Sequence, residues 1–212
     1  MPMLTDVRNA LAFLRRGEWG ELLFRLRVHF GRIDLTYASV RELGLQPERS
    51  HDYRHSGGVH LEQLLDGLEI TSGDAIVDFG SGKGGALITF AQYPFYRITG
   101  VELLPELVAI ARRNLKVLKI STVEMVVSDA ALFTDLDDYT HFYFYSPFPR
   151  GVMAAVMANL KHSITRRPRK TFIIYCNPEF HETVIADSPF AKVQEFRHQR
   201  LGLPIYLYSN QP

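Results

Sequence analysis

The sequence predicts a doubly wound α/β domain, built on a mostly parallel seven-stranded sheet with a C-terminal antiparallel hairpin and an N-terminal helical extension. Three observations predict it. From residue 60 onward, short apolar runs alternate with amphipathic helical segments. A glycine-rich turn follows the first apolar run, and the last two runs are joined by a short turn instead of a helix.

Taken in order, residues 5–16 put Val7, Ala10, Leu11 and Leu14 at helical spacing, and residues 18–30 do the same with Trp19, Leu22, Leu23, Leu26 and Phe30. A less regular stretch rich in His, Arg and Gly leads to residue 58, so residues 1–58 read as an extension and 59–212 as the domain. The domain opens with a helix carrying Leu61, Leu64, Leu65 and Leu68 on one face, then the turn Thr71-Ser72-Gly73-Asp74. AIVDF is a strand buried on both faces, and KGGALITFAQ the helix after its turn. RITGVE, VEMVVSD, HFYFYS and KTFIIYC read as strands two to five, with helices PELVAIARRNLKVL and RGVMAAVMANLKHSI between them. Pro105 suits a first helical turn. AKVQEFRHQ and IYLYS, separated by RLGLP, form the hairpin.

Composition narrows the function. Hydrophobic residues make up 46% and charged residues 22%, as in a globular domain, and a formal charge of +1 gives no general field for nucleic acid or anionic membrane. Cys176 is the single cysteine, which excludes an internal disulfide and argues against a cysteine zinc site. Charged residues interrupt every apolar run before it reaches the length of a membrane span, and the N-terminus lacks the order of a signal peptide. A cytoplasmic protein is expected, with no metal.

The segment Val77 to Gly85, VDFGSGKGG, joins a buried strand to a helix through Gly80, Gly82, Gly84 and Gly85. Such a turn brings backbone close to a ligand at a helix N-terminus, where amide donors are expected to be free. Gly80, Gly82 and Gly85 also satisfy GxGxxG, the pattern of dinucleotide sites. Asp78, two residues before the first glycine, favours a different ligand, because its carboxylate repels a pyrophosphate and suits the cationic amino group of a methionine moiety. Glu102, ending the second strand, is placed either to accept hydrogen bonds from ribose hydroxyls or as a solvated strand-end acid. Asp129 ends the third strand, with adenine contact beside the Ala130 amide, or a cap on the next helical turn, as its two readings.

DFGSGKG, GVELLPELVAIARRN and SDA, in this order and spacing, resemble the successive motifs of class I S-adenosylmethionine-dependent methyltransferases. The resemblance spans residues 50–209, and the terminal hairpin looks like the reversed final strands of that family. Tyr53 and Ser56 upstream, the GSGKG loop and the turn after strand four resemble a broad bacterial group within it; the loop also looks distantly like that of protein-lysine methyltransferases. The resemblance implies S-adenosylmethionine as cofactor, with Asp78, Gly80, Gly82 and Gly84 at the methionine end, Glu102 at the ribose and Asp129 and Ala130 at the adenine. Ser81 and Lys83 complete the loop. Lys83 either reaches the cofactor's carboxylate or extends into water.

Ser146-Pro147-Phe148-Pro149, after strand four, resembles the turn with which amino-group methyltransferases hold a target amine. Phe148 stands in place of the second proline and Pro149 in place of the aromatic, so methylation of nucleic-acid bases is not expected. The other reading is a proline turn closing a strand. Ser146 and Pro147, with Tyr53 from a segment that folds over the cofactor, are the candidate catalytic residues. His51, His55 and His60 mark a polar loop or a base near the acceptor. The acceptor, a small molecule or a protein, is open, and so is oligomeric state. A nicotinamide-dependent oxidoreductase and an inactive cofactor-binding module are the alternatives.

Overall fold

A computed structural model describes residues 33–36, 57–146, 148–197 and 202–211. The expected helices over 5–16 and 18–30, the residues Tyr53, Ser56, His51, His55 and Pro147, and the turn residues 198–201 lie outside them.

Seven strands form one sheet in the order β3-β2-β1-β4-β5-β7-β6. They are β1 (Ala75–Phe79), β2 (Arg97–Glu102), β3 (Val123–Val127), β4 (His141–Tyr145), β5 (Phe172–Cys176), β6 (Ala191–Arg197) and β7 (Pro204–Ser209). The first five are parallel; β7 runs antiparallel to both β5 and β6. The predicted hairpin is therefore present, with β7 inserted between β5 and the edge strand β6. Strand order reverses between β1 and β4, which puts a crevice outside their carboxyl ends.

The helices are α1 (Val59–Asp66), α2 (Gly85–Phe90), α3 (Pro105–Val117), α4 (Arg150–Arg166) and α5 (His181–Ile185), with a 3₁₀ turn over Ala130–Leu132. Helices α1, α2 and α3 bury Leu61, Leu65, Leu87, Phe90, Val108 and Leu115 on one face of the sheet with Ile76 of β1. Helices α4 and α5 bury Met153, Met157, Leu160 and Val184 on the other face, against Val77 and Phe79. Alternation along β1 thus feeds both cores, and the whole strand is buried. On that pattern Asp78 points to the α2 and α3 face, the side on which the glycine turn closes. β6 is exposed along most of its length and carries Lys192, Glu195 and Arg197, charges that discourage pairing by another chain's edge. Among the described residues no helix is long and apolar enough to cross a membrane.

Two features differ from expectation. The helix after the glycine turn starts at Gly85, not at Lys83, because Gly84 adopts a left-handed conformation (φ 84°) as its N-cap. α5 is absent from the periodicity reading, since HETVI is too short to show a helical repeat.

Candidate active site

The crevice is built from the carboxyl ends of β1, β2, β3, β4 and β5. β1 delivers Asp78 into it at 3% exposure, paired in register with Gly100 of β2 on one side and Tyr143 of β4 on the other. The Asp78 carboxyl has no hydrogen-bond or ion-pair partner among the described residues. Burial pushes its pKa well above the usual carboxylate range, and the neighbouring Glu102 carboxylate adds to the rise. A buried, unpaired carboxyl is costly unless something cationic meets it.

Glu102 accepts the Gly82 amide at 2.9 Å and the Leu104 amide at 2.9 Å. Burial raises its pKa, opposed by the backbone donors Leu104, Gly82 and Leu103. Neither sequence reading describes it fully: the side chain is 8% exposed, not a solvated acid, and it holds the glycine turn. Two carboxylate oxygens with about four lone-pair sites still leave room for ribose hydroxyls.

The turn itself is fixed by its backbone. The Gly80 and Ser81 amides donate to the Val101 carbonyl at 2.9 and 3.1 Å, and the Gly84 amide to the Ser81 carbonyl at 2.9 Å. Gly80, Gly82 and Gly84 all have positive φ, at 77°, 53° and 84°. The amides of Gly80, Ser81, Gly82 and Gly84 are therefore committed within the protein, which leaves the first amides of α2 as the donors a helix N-terminus offers. Gly100 lies under the turn, where an added Cβ would come within 2.7 Å of Ser81 Oγ, 2.6 Å of Leu87 Cδ1 and 2.9 Å of Met125 Sδ. The Ser81 hydroxyl is buried with no partner among the described residues.

Lys83 does not extend into water. It is 5% exposed, and its ammonium donates to Asp34 Oδ1 at 2.9 Å and to Thr36 Oγ1 at 3.0 Å. Asn114 of α3 completes the contact. Its Oδ1 accepts the Asp34 amide at 3.0 Å, and its Nδ2 donates to the Asp34 carbonyl at 2.9 Å and the Lys83 carbonyl at 3.0 Å. The loop lysine thus ties residues 33–36 of the N-terminal extension to the glycine turn, a link across 49 residues that periodicity cannot reveal.

Asp129 accepts the Ala131 amide at 2.9 Å, so it caps the 3₁₀ turn as one of its two readings has it, beside Ala130 at 8% exposure. Both stand at the carboxyl end of β3, on the crevice rim.

Across the crevice, Ser146 ends β4 at φ 36° and Asn177 ends β5 at φ 49°. The Ser146 hydroxyl donates to the Asn177 carbonyl in a short hydrogen bond, and Asn177 Nδ2 donates back to Ser146 Oγ at 3.0 Å. Ser146 was singled out from the sequence; Asn177 was not. Its signal was present, since CNP repeats after β5 the polar-residue-then-proline step that YSP makes after β4. Cys176 is buried, its thiol pushed up to about 12 by burial with the Asp78 charge adding to the rise against a hydrogen bond to Tyr143. A thiol so held is no nucleophile.

Comparison with known proteins agrees with this geometry. Residues 76–171 match the family model described as a methyltransferase domain. This segment is a class I S-adenosylmethionine-dependent methyltransferase domain. Solved structures share the fold. An RNA methyltransferase from Salinibacter ruber in complex with S-adenosyl-L-homocysteine is 19% identical, with 70% of this chain and 88% of that chain covered at a TM-score of 0.54. A putative methyltransferase from Escherichia coli is 19% identical, with 70% and 81% covered at a TM-score of 0.55. A variant of MtNAS in complex with S-adenosylmethionine is 17% identical, with 70% and 60% covered at a TM-score of 0.54. No curated protein matches the chain.

Proposed function

We propose that this methyltransferase domain holds S-adenosylmethionine between Asp78, the Gly80–Gly84 turn, Glu102 and Asp129, and passes its methyl group to an acceptor at the β4 and β5 end of the crevice, a small molecule or a protein amino group. The observation that carries the reading is the Asp78 carboxyl, buried and unpaired beside a turn whose amides are already committed. A cationic ammonium satisfies that carboxyl. A dinucleotide's pyrophosphate meets there a carboxyl that repels it once ionised, which counts against the oxidoreductase reading. Glu102 takes the ribose hydroxyls, and the buried Ser81 hydroxyl gains a partner. When bound, the cofactor supplies a methyl group on a sulfonium, which an aligned nucleophile can displace without a covalent enzyme intermediate. The protein's part is to orient and to exclude water.

The test is calorimetry with S-adenosylmethionine, S-adenosylhomocysteine and NAD. The first two bind and NAD does not; binding of NAD alone would overturn the reading, and binding without turnover on any acceptor would leave an inactive module. Asp78→Asn lowers affinity for S-adenosylhomocysteine by roughly tenfold or more, the weight of a charge-assisted hydrogen bond.

The same variant tests the electrostatics through stability. A carboxyl whose folded pKa lies above its unfolded value keeps a proton that the unfolded chain has lost, so stability falls as pH rises from 3.8 to the folded value, and the deficit persists at neutral pH. Asp78→Asn removes that deficit. Its Tm at pH 7.5 rises, by about 2–4 °C for each kcal/mol regained in a domain of this size, and the gain disappears at low pH. At a pH below the folded pKa of Asp78, calorimetry in buffers of different ionisation enthalpy shows proton release when S-adenosylhomocysteine binds the parent and none in Asp78→Asn.

A further inference from the structure

We infer that the turn closing β4 and β5 is a subsite for a nitrogen acceptor, in which the Asn177 carboxamide oxygen takes an N–H of the amine to be methylated. The inference rests on the methyl-transfer reading and adds the chemical class of the acceptor.

Two strands that neighbour each other in the sheet end in residues with side chains and positive φ, Ser146 and Asn177. Such conformations are unfavourable for residues with a Cβ, least so for asparagine, and persist where the surroundings enforce them. Here they turn the two residues toward each other. The hydrogen bonds then decide what remains on offer. The one Ser146 proton goes to the Asn177 carbonyl, which also accepts the Glu179 amide at 2.8 Å. Both protons of Asn177 Nδ2 are committed, one to Ser146 Oγ at 3.0 Å and one to Glu179 Oε1 at 3.0 Å. Glu179 also settles which end of the carboxamide is which, because the opposite orientation would set Oδ1 against its carboxylate.

Every donor on these side chains is therefore used, and the atom left without a partner among the described residues is an acceptor, Asn177 Oδ1, with the exposed Glu179 carboxylate beside it. A carboxylate or phosphate finds no hydrogen bond there and a repelling charge. A hydroxyl can donate its proton but must lose it to become a good nucleophile, and a carboxamide is no base. His181, the nearest imidazole along the chain, is held by Tyr208 at 2.8 Å. A neutral amine needs no base: it donates one N–H to Asn177 and keeps its lone pair for the methyl carbon. That lone pair forms the N–C bond as the S–C bond breaks onto sulfur, giving S-adenosylhomocysteine and a methylated ammonium that releases its proton to water.

The experiment uses S-adenosylmethionine tritiated on the methyl group, with the full chain and a desalted cell extract and its small-molecule fraction as acceptors. Methyl esters release methanol in mild base; acid hydrolysis and chromatography separate N-methyl from O-methyl and C-methyl products. The expected product is N-methyl. Asn177→Gly keeps the positive φ while removing the carboxamide, and lowers transfer roughly tenfold at subsaturating acceptor, with S-adenosylhomocysteine affinity within about twofold of the parent. Glu179 is exposed, so Glu179→Gln provides a variant that folds in any case; it releases the carboxamide's orientation and lowers transfer several-fold. Label in esters, ethers or carbon products overturns the inference, as does parent-like transfer by either variant. No transfer to any fraction by a parent that binds S-adenosylhomocysteine overturns the methyl-transfer reading beneath it, and that result is distinct from transfer to the wrong atom.

Discussion

At β1 the chain leaves the sheet through three positive-φ glycines, Gly80, Gly82 and Gly84, whereas at β4 and β5 it leaves through single positive-φ residues that carry side chains, Ser146 and Asn177. The first turn is fixed by backbone, with amides donating to Val101 and to Glu102. The second is fixed by side chains donating to each other's turn. On the proposed function, the β1 side meets its ligand with close-approaching backbone and one buried carboxyl. The β4–β5 side, with polar side chains in the same backbone region, on that proposal meets its ligand by hydrogen bonds. That proposal separates cofactor binding and acceptor choice onto different strands of one sheet, and substitutions on one side should leave the other nearly intact.

The largest effect expected from that separation is at the glycine turn. Gly82→Val places a β-branched residue at φ 53° and fills the cavity beside Asp78. Binding of S-adenosylhomocysteine is abolished while circular dichroism stays native. A folded variant binding as tightly as the parent would show that the turn does not face the cofactor.

Glu102→Ala comes next, because Glu102 serves the turn and the expected ribose contact at once. Losing a charged hydrogen-bond acceptor to the cofactor weakens binding by roughly 1.5–3 kcal/mol. Release of the Gly82 amide adds a measurable loss of thermal stability. Calorimetry and a thermal melt on the same sample separate the two: full affinity with reduced Tm would make Glu102 a turn support alone. Comparison with Asn177→Gly, which changes transfer and not cofactor affinity, sharpens the contrast between the halves.

The fold was legible because buried parallel strands announce themselves as short apolar runs: AIVDF and RITGVE coincide with β1 and β2, and KTFIIYC with β5 within two residues. The position of strand four beside strand one followed from topology, and the pairing of β1 with β4 bears it out. Asp78 and Glu102 were visible as acids at strand ends. Their partners were not, because a hydrogen bond such as Gly82 to Glu102 depends on β2 lying next to β1, and the amides' use of Val101 depends on the same neighbourhood. Asn177 escaped notice because the residue itself is ordinary in a turn. Only its φ and its three-way contact with Ser146 and Glu179 mark it out. The Lys83 partner was hidden for a related reason: a lysine at a helix start is unfavourable locally, and what holds it, Asp34, lies far along the chain.

The smallest expected effect concerns that lysine. Lys83→Met keeps the buried stem and removes the ammonium, leaving Asp34 with its Thr36 hydrogen bonds at 3.1 and 2.7 Å. The Asp34 side chain is 33% exposed, so the ion pair is partly screened and its loss costs about 1 kcal/mol. Burial pushes the Asp34 pKa up, but the hydrogen bonds from Thr36 and Lys83 outweigh it and hold the value below 3.8. A carboxylate with a lowered folded pKa contributes stability that is present above its unfolded pKa and lost as pH falls through the folded one. The stability gap between parent and Lys83→Met is therefore full at neutral pH and closes below pH 3.8, as thermal melts across that range would show. Affinity for S-adenosylhomocysteine changes by less than about threefold, since the pair supports the turn from behind and the variant leaves Asp78, Gly82 and Glu102 in place. A loss of more than about tenfold with unchanged stability would return Lys83 to the cofactor's carboxylate and make the Asp34 contact incidental.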